Sequence, residues 1–242
     1  MAWSEGFEMC DTDEIIERAL AKYRHCNSYL DRGCIRTNRV NSEIETRFET
    51  YFLRPAYLRS EWQQYNGSKA IGSKGGFWSD GEIARIRLKT GMQTCAPRDV
   101  LSINSVEISR FLLPSYRLSF SPNSVPLLGA VLIAEEELES GECYVLECNE
   151  DRIWTRRYWV LKSNFAIVQA EVLYIRNGAE IARSERELAQ RERKMAALLN
   201  RPAIDLPEPE NLEDEILLTK YEFYDVIFDA PLVETVFEFP VA

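Results

Sequence analysis

Six cysteines and one histidine are the residues of this 242-residue chain whose types most readily suggest metal or thiol chemistry. The cysteines are Cys10, Cys26, Cys34, Cys95, Cys143 and Cys148, and the histidine is His25. Zinc ligands normally come in closely spaced pairs, and no C-x-x-C pair occurs here. The sequence therefore predicts no metal site. Disulfides stay open, although Cys143 and Cys148 would face opposite sides of one strand and so would not pair with each other.

Motifs that carry catalysis are missing from the sequence. It holds no G-x-S-x-G, no phosphate-binding glycine loop and no H-E-x-x-H. Carboxylates occur throughout this acidic chain, so the run 135–137 does not indicate catalysis. The segment Asp11 to Glu14 lacks the glycine and distal glutamate of a calcium loop. His25 and Cys26 point in different directions on a helix. We therefore expect no catalytic residue, no cofactor and no enzyme, with a cysteine-dependent enzyme as the weakest alternative.

Aromatic side chains and one arginine are better candidates for a site. Arg54 follows a strand-like run and precedes Pro55. Aromatic residues fall in other strand-like or helical stretches, where they are able to line a cavity together with it. The candidate cavity or lid residues are Arg54, Trp62, Trp78, Phe111, Trp154 and Tyr158. The alternative is that the rings fill an ordinary core and that Arg54 is an exposed strand end.

The elements that would position these residues follow from periodicity. Apolar residues at helical spacing predict a helix capped at Asp11 or Thr12 and ending near His25, and others over 102–113 and 178–200. Alternation predicts strands over 44–52, 57–65, 143–148, 152–161, 165–175 and 216–227. We predict a mobile loop over 66–76, a two-residue hairpin turn at Asp80-Gly81 with positive φ at both positions, and a short helix over 127–138.

Short links between strands favour antiparallel meanders over parallel units. The predicted fold class is α+β, mainly β: one strongly curved, unclosed antiparallel sheet, a half-barrel, with helices packed on its concave side as a lid. We expect a single domain over 1–242, with a charged helical insertion at about 178–201.

Several segments together resemble LolA-like lipoprotein-sorting proteins, and in particular their uncharacterised bacterial branch. They are Leu53–Arg59 with Ser79–Glu82, the N-terminal helix leading into Tyr29–Gly33, and the ending Tyr224–Phe228 with Phe237–Pro240. The resemblance covers most of the chain and is most specific at Arg54-Pro55 and Asp80-Gly81. It implies an unclosed barrel with a helical lid over an apolar cavity that holds acyl chains. It also implies that Arg54 lies beneath the lid and hydrogen-bonds to it, holding the empty form closed.

Charge and hydropathy exclude several classes of partner. The net charge of −10 disfavours binding to nucleic acids and to anionic lipid surfaces. The longest apolar run, 127–134, is far shorter than a bilayer span, so we expect no integral membrane protein. Met1 to Glu5 lacks the features of a signal peptide. Two locations therefore stay open, periplasmic after removal of a signal peptide, as the resemblance implies, or cytoplasmic with Met1 as the native start.

The sequence thus predicts a non-enzymatic binding or carrier protein for an apolar or acylated ligand, held in a half-barrel cavity. The alternative is a protein-interaction scaffold that uses the 178–200 helix to bind a protein partner and has no ligand cavity.

Overall fold

Eleven β-strands make up most of the computed structural model, which describes residues 11–39, 42–88, 91–95, 108–112, 127–149, 154–198, 202 and 214–239. The strands are β1 Ser28–Arg39, β2 Ser42–Leu53, β3 Tyr57–Asn66, β4 Lys69–Ser79, β5 Ala84–Leu88, β6 Gly91–Cys95, β7 Val131–Leu138, β8 Gly141–Asn149, β9 Trp154–Leu161, β10 Ile167–Arg176 and β11 Glu215–Phe228. The helices are α1 Thr12–His25, α2 Ser109–Leu112 and α3 Gly178–Leu198, and a 3₁₀ turn spans Glu234–Phe237.

All eleven strands belong to one antiparallel sheet, in the order β6-β5-β4-β3-β2-β1-β11-β10-β9-β8-β7. The sheet therefore consists of two meanders, β1 to β6 and β7 to β11, joined where the first strand pairs with the last. In the part of the chain that the structure describes, β6 and β7 lie at the two ends and do not pair with each other, so the sheet is not closed. The predicted mainly β, unclosed antiparallel sheet is confirmed.

The helix α1 has the limits that its sequence predicts. The side chain of Asp11 caps its first turn by accepting a hydrogen bond from the backbone N–H of Asp13, at 3.4 Å. Its apolar stripe, Ile15, Ala19 and Tyr23, is fully buried. The helix prediction over 178–200 is also confirmed by α3. Of the helix predicted over 102–113, only α2 lies within the described residues, and Cys10 lies outside them.

The sheet has one face that packs against α1 and one that does not. We call the side that carries Tyr29, Phe52 and Leu58 the α1 face, because these buried side chains join the same core as Ile15 and Tyr23. Successive residues of a strand alternate between faces. Arg59, which follows Leu58, and Arg32, three positions after Tyr29, therefore point to the other side, which we call the opposite face.

Two turns differ from the sequence-based prediction. Residues 66–76 are not a mobile loop: β3 turns at Gly67, which has a positive φ, and continues into β4, which is paired with β3 and β5. Glycine and serine are typical of loops, but here strand pairing on both sides outweighs that preference. At Asp80 the side chain accepts from the N–H groups of Glu82 and Ile83, at 2.9 and 2.8 Å. The turn is therefore a longer loop in which Gly81, but not Asp80, has a positive φ.

Instead of the predicted short helix over 127–138, the chain forms a turn at 127–129 and then strand β7. Its leucine, alanine and glutamate residues are good helix formers. Pairing with β8, from Val131↔Glu147 to Leu138↔Gly141, outweighs this intrinsic preference. The three strands predicted after it are confirmed as β8, β9 and β10.

Two glycines allow aromatic rings to lie flat across the α1 face. A Cβ at Gly33 would overlap the backbone oxygen of Glu222 and the ring of Phe48, and a Cβ at Gly75 would overlap the indole of Trp62. The missing side chains are therefore part of the packing of this face.

We predict that Gly33→Ala and Gly75→Ala each destabilise the protein by about 2–3 kcal/mol, because a well-packed interior accommodates extra atoms poorly. Gly67→Ala is the matched control. A Cβ there meets open space, and the positive φ alone costs about 1 kcal/mol. Urea unfolding measures all three variants, and equal losses for Gly33→Ala and Gly67→Ala would contradict the packing argument.

Candidate functional site

The side chain of Arg54 fastens the C-terminal end of α1 to the sheet. Its guanidinium donates hydrogen bonds to the carbonyl oxygens of Tyr23 at 3.0 Å, Arg24 at 2.6 Å and Cys26 at 3.1 Å. The last carbonyls of a helix lack partners within the helix and lie at the negative end of its dipole. A planar cation with several donors suits them. Arg54 therefore links the end of β2 to α1 through three hydrogen bonds, a contact that we call the Arg54 latch.

The thiol of Cys26 belongs to the same junction. Its Sγ donates to the Tyr23 carbonyl at 3.2 Å, the same oxygen that Arg54 contacts. Burial raises the pKa of Cys26, and the nearby Arg54 guanidinium acts in the opposite direction. The thiol therefore keeps its proton at neutral pH and serves as a hydrogen-bond donor rather than as a nucleophile.

Aromatic rings fill the space between α1 and the sheet. The Tyr23 ring centroid lies 5.7 Å from that of Tyr29, 5.4 Å from Phe111 and 5.0 Å from Phe228. Phe111 in turn meets Tyr158 edge-on at 5.5 Å. Tilted and edge-on contacts are the favoured geometry for aromatic pairs. Two predicted site residues, Phe111 and Tyr158, therefore meet in this cluster.

Three polar side chains lie fully buried in this otherwise apolar face. Asp31, Thr50 and Ser60 are all 0% exposed, and they face one another across β1, β2 and β3 in the register Asp31↔Thr50↔Ser60. We call them the polar row. The hydroxyl of Tyr29 donates to Asp31 Oδ2 at 2.7 Å. Within the described ranges, Asp31 Oδ1, Thr50 Oγ1 and Ser60 Oγ have no hydrogen-bond partner outside the row.

The carboxyl group of Asp31 titrates far from its ordinary range. Burial raises its pKa from 3.8 to about 7, although hydrogen bonding by Tyr29 and by the side chain and backbone of Thr50 acts to lower it. An isolated carboxylate is costly in an apolar interior, so the neutral form is favoured there. Asp31 is therefore poised between its neutral and charged forms near neutral pH.

The other predicted site residues fall on both faces of the sheet. Trp62 lies half-buried on the α1 face over Gly75, and Trp154 stacks on Tyr174 with the ring centroids 4.3 Å apart. Trp78 lies on the opposite face, because it follows Phe77 in the strand, and Phe239 covers it at 4.8 Å. The α1 side therefore holds Arg54, Trp62, Phe111, Trp154 and Tyr158, and Trp78 is separated from them.

Charged pairs cover the opposite face where β11, β1 and β2 meet. Glu222 pairs with Arg36 at 2.6 Å and with Lys220 at 3.0 Å. The Tyr224 hydroxyl and the Cys34 thiol also donate to Glu222, at 2.8 and 3.2 Å. Burial acts to raise the pKa of Glu222, but these donors outweigh it and bring the pKa to about 2. This carboxylate therefore stays ionised.

A half-open depression of about 570 Å³ lies mainly on the opposite face. It is lined by Arg32, Gly33, Cys34, Arg36, Glu45, Arg47, Phe48, Glu49, Glu61, Trp62, Gln63, Tyr65, Lys74 and Tyr224. Glu61 pairs with three cations, Arg59 at 2.5 Å and both Lys74 and Arg87 at 3.3 Å. The arginine and lysine side chains that line the depression already have carboxylate partners, so the depression offers little net charge to a ligand.

The C-terminal segment crosses the opposite face beside a second depression of about 410 Å³. Arg59 donates to the Val236 carbonyl at 2.8 Å, and Phe237 packs against Tyr57 with centroids 5.6 Å apart. This segment accounts for the burial of Trp78.

Metal-binding clusters and membrane-spanning helices are both absent among the residues with described positions. No group of three or more histidine, cysteine, aspartate or glutamate residues there is arranged to hold a metal ion. Cys26, Cys34, Cys143 and Cys148 are buried and form no disulfide among the described residues. Within the same residues, no helix combines the length and the apolar character that a bilayer crossing needs.

The polar row is the part of the site that sequence reasoning missed. Residues 29–40 read as extended but polar. Within them, Arg32 and Arg36 alternate with Tyr29, Asp31 and Ile35. Placing both arginines on the solvated side would have put Asp31 on the buried side, so the signal was present in the alternation.

We predict that the stability of the protein falls as the pH rises from about 5 to about 8, by about 2–3 kcal/mol. The folded state keeps the Asp31 proton up to a pKa of about 7, whereas the unfolded chain releases it near 3.8. Stability from this raised pKa is complete below the unfolded value and is lost as the pH rises through the folded value. Glu222, with its lowered pKa, loses its contribution only at acidic pH, outside this window.

Asp31→Asn removes the titrating group, so its unfolding free energy should be nearly constant over this range. Urea unfolding of both proteins at several pH values measures the difference. A variant that keeps the wild-type slope would show that another group is responsible.

Comparison with known proteins finds likeness in structure but not in sequence. No protein-family model matches the chain, and no curated protein sequence matches it. A LolA superfamily protein from Nitrosomonas europaea is 14% identical and has a TM-score of 0.39, over 95% of this chain and 98% of that one. A putative outer membrane lipoprotein-sorting protein domain from Vibrio parahaemolyticus is 9% identical, with a TM-score of 0.37 over 93% and 94%.

The MucA/MucB complex from Pseudomonas aeruginosa contains a chain that is 12% identical, with a TM-score of 0.44, over 96% of this chain and 62% of that one. The resemblance to LolA-like proteins that the sequence indicates is therefore also found among solved structures. At these identities and TM-scores the likeness concerns the fold alone, and the function has to be argued from the residues of this chain.

Proposed function

We propose that this protein is a non-enzymatic carrier that binds an apolar or acylated ligand between α1 and a sheet that curves as a half-barrel. In this proposal the helices lie on the concave side, and α1 is the lid. Arg54, Trp62, Phe111, Trp154 and Tyr158 form the lid contact and the walls. Trp78, on the opposite face, belongs to the support of the sheet.

The observation that carries the proposal is the Arg54 latch. The last carbonyls of a helix need hydrogen-bond partners, and in α1 a single side chain at the end of β2 supplies them. Here one guanidinium gathers three terminal carbonyls, all of which water would satisfy once the helix moved away. Releasing one side chain would therefore free the end of α1 without leaving its carbonyls unpaired.

The aromatic cluster under α1 provides the surface that a ligand would take over. Tyr23 and Phe111 cover Tyr158 and Phe228 in the present, closed arrangement. An acyl chain contributes about 0.8 kcal/mol per buried CH₂ group. A long chain therefore offers enough free energy to replace the ring contacts that are lost when the lid opens.

Ligands bound in the cell provide the direct test. The full chain is purified under native conditions, extracted with organic solvent and analysed by mass spectrometry. The expected result is a lipid or an acylated compound in stoichiometric amount. A preparation that contains none, and that takes up no fluorescent fatty acid afterwards, would contradict a carrier function.

We predict that Arg54→Ala accelerates the uptake of a fluorescent fatty acid by about 10-fold or more. Hydrogen bonds to a charged group contribute about 1.5–3 kcal/mol each, and their loss favours the open lid. Hydrogen exchange of the α1 amides should accelerate as well, with the amides of β1 and β2 unchanged. Arg54→Lys keeps the charge but lacks the planar set of donors. Its uptake rate should therefore lie between those of the wild type and Arg54→Ala.

The control for this experiment is Arg183→Ala in α3, whose side chain is 82% exposed and pairs only with Glu187 among the residues described. It removes the same charge and should change neither measurement. Faster exchange throughout the sheet in Arg54→Ala would mean that Arg54 supports the whole fold and is not a latch.

The helix α3 supports a second candidate function, that of a protein-interaction scaffold. It is 21 residues long, and its charged side chains Arg183, Arg186 and Glu187 are exposed. It lies in the connection between two paired strands, since Arg176 at the end of β10 faces Glu215 at the start of β11. The sheet therefore does not need α3 for its own pairing.

Replacing 177–214 by Asn-Gly, a sequence suited to a two-residue hairpin turn, removes α3 and tests this function separately from the carrier function. As a scaffold, the protein would lose a copurifying partner and keep its melting temperature and its fatty acid uptake. Loss of uptake instead would assign α3 to the lid of the carrier.

A further inference from the structure

We propose that the polar row of Asp31, Thr50 and Ser60 recognises the head of an alkyl ligand that carries hydrogen-bond donors, above all an ammonium group. This inference rests on the proposed carrier function and adds to it the chemical class of the ligand. In this view the ligand enters head first beneath α1, and its chain lies along the aromatic side chains of the α1 face.

The spacing of the row fits a small head group. The three residues are direct neighbours in the register of adjacent strands, where opposite Cβ atoms are about 4.5–5.5 Å apart. Among the described residues, Asp31 Oδ1, Thr50 Oγ1 and Ser60 Oγ have no partner other than one another. All three oxygens accept hydrogen bonds, and an ammonium group has three donors. The row thus offers acceptors to a group that can only donate.

Charge favours a cation over an anion at this position. Asp31 is fully buried, and its Oδ2 is held by the Tyr29 hydroxyl, which adds no charge. A buried carboxylate is stabilised by an opposite charge within a few ångströms, whereas a second carboxylate would repel it. The net charge of −10 also attracts cationic ligands to the protein.

The polar row is costly to the folded protein while no ligand is bound, because its oxygens then lack hydrogen-bond donors. A buried polar atom without a partner costs about 1–3 kcal/mol. A purely apolar ligand would leave all three oxygens in that state. The same chain with a donor head would satisfy them, so the row discriminates between ligands that the aromatic walls treat alike.

Calorimetric titration with dodecylamine, dodecanol and laurate tests the inference, because these ligands share one alkyl chain and differ in the head. The full chain is titrated at about pH 8, below the micellar concentrations. The wild-type protein should bind dodecylamine about 10-fold more tightly than laurate, with dodecanol between them. Asp31→Asn should bring the dodecylamine and laurate affinities to within about 2-fold of each other, because it removes the charge.

Ser60→Ala gives a second measurement that does not alter the charge, and it should weaken dodecanol binding by about 5-fold. Thr94→Val, which removes an exposed hydroxyl from the opposite face of β6, is the control and should leave the order unchanged. Equal affinities for all three ligands in the wild type, or an unchanged order in Asp31→Asn, would overturn the inference and leave the carrier function standing. If none of the three ligands binds, the inference and the carrier function fall together.

Discussion

The burial of one sheet face by α1 is the constraint on which the rest of this structure depends. A sheet whose face carries Tyr29, Phe52 and Leu58 is not stable in water until something covers it. One short helix provides much of that cover, with Tyr23 at the centre of the ring contacts. Because the cover is a single helix held at its end by Arg54, the contact that stabilises the interior would also control access to it in the carrier that we propose.

The interior under α1 combines two properties that rarely occur together. Aromatic side chains pack between α1 and the sheet, and the same sheet face carries Asp31, Thr50 and Ser60 in one line across three strands. On the opposite face of the same strands, carboxylates have cationic partners within the protein. There Glu222 and Glu61 are surrounded by cations, and their pKa values lie below the ordinary range because those donors outweigh burial. The two faces therefore differ, because burial raises the pKa of Asp31 in the polar row.

Local pattern predicted much of the fold, and non-local contacts account for what it did not. The cap at Asp11 and the stripe of α1 depend on a few neighbouring residues, so the sequence predicts them well. The first part of β4, up to Gly76, was missed because Gly75 is explained only by the indole of Trp62 on the neighbouring strand. Strand β7 was missed because its pairing with β8 outweighs helix-forming residues. At the site, the role of Arg54 against the helix came from the family resemblance. The alternation along β1 indicates which side Asp31 faces, but that α1 covers this side follows only from the folded structure.

The pairing of the first strand with the last has a consequence for how the chain reaches this structure. Cys34 on β1 and Tyr224 on β11 touch across 190 positions of sequence. Closing so long a loop costs entropy before any contact offsets it, and folds with many such contacts form slowly. During synthesis the first meander emerges long before its partner strand exists, with the β1 edge unpaired. An exposed edge strand invites pairing with other chains. The alternating arginines of β1, Arg32 and Arg36, place charge along that edge during the interval.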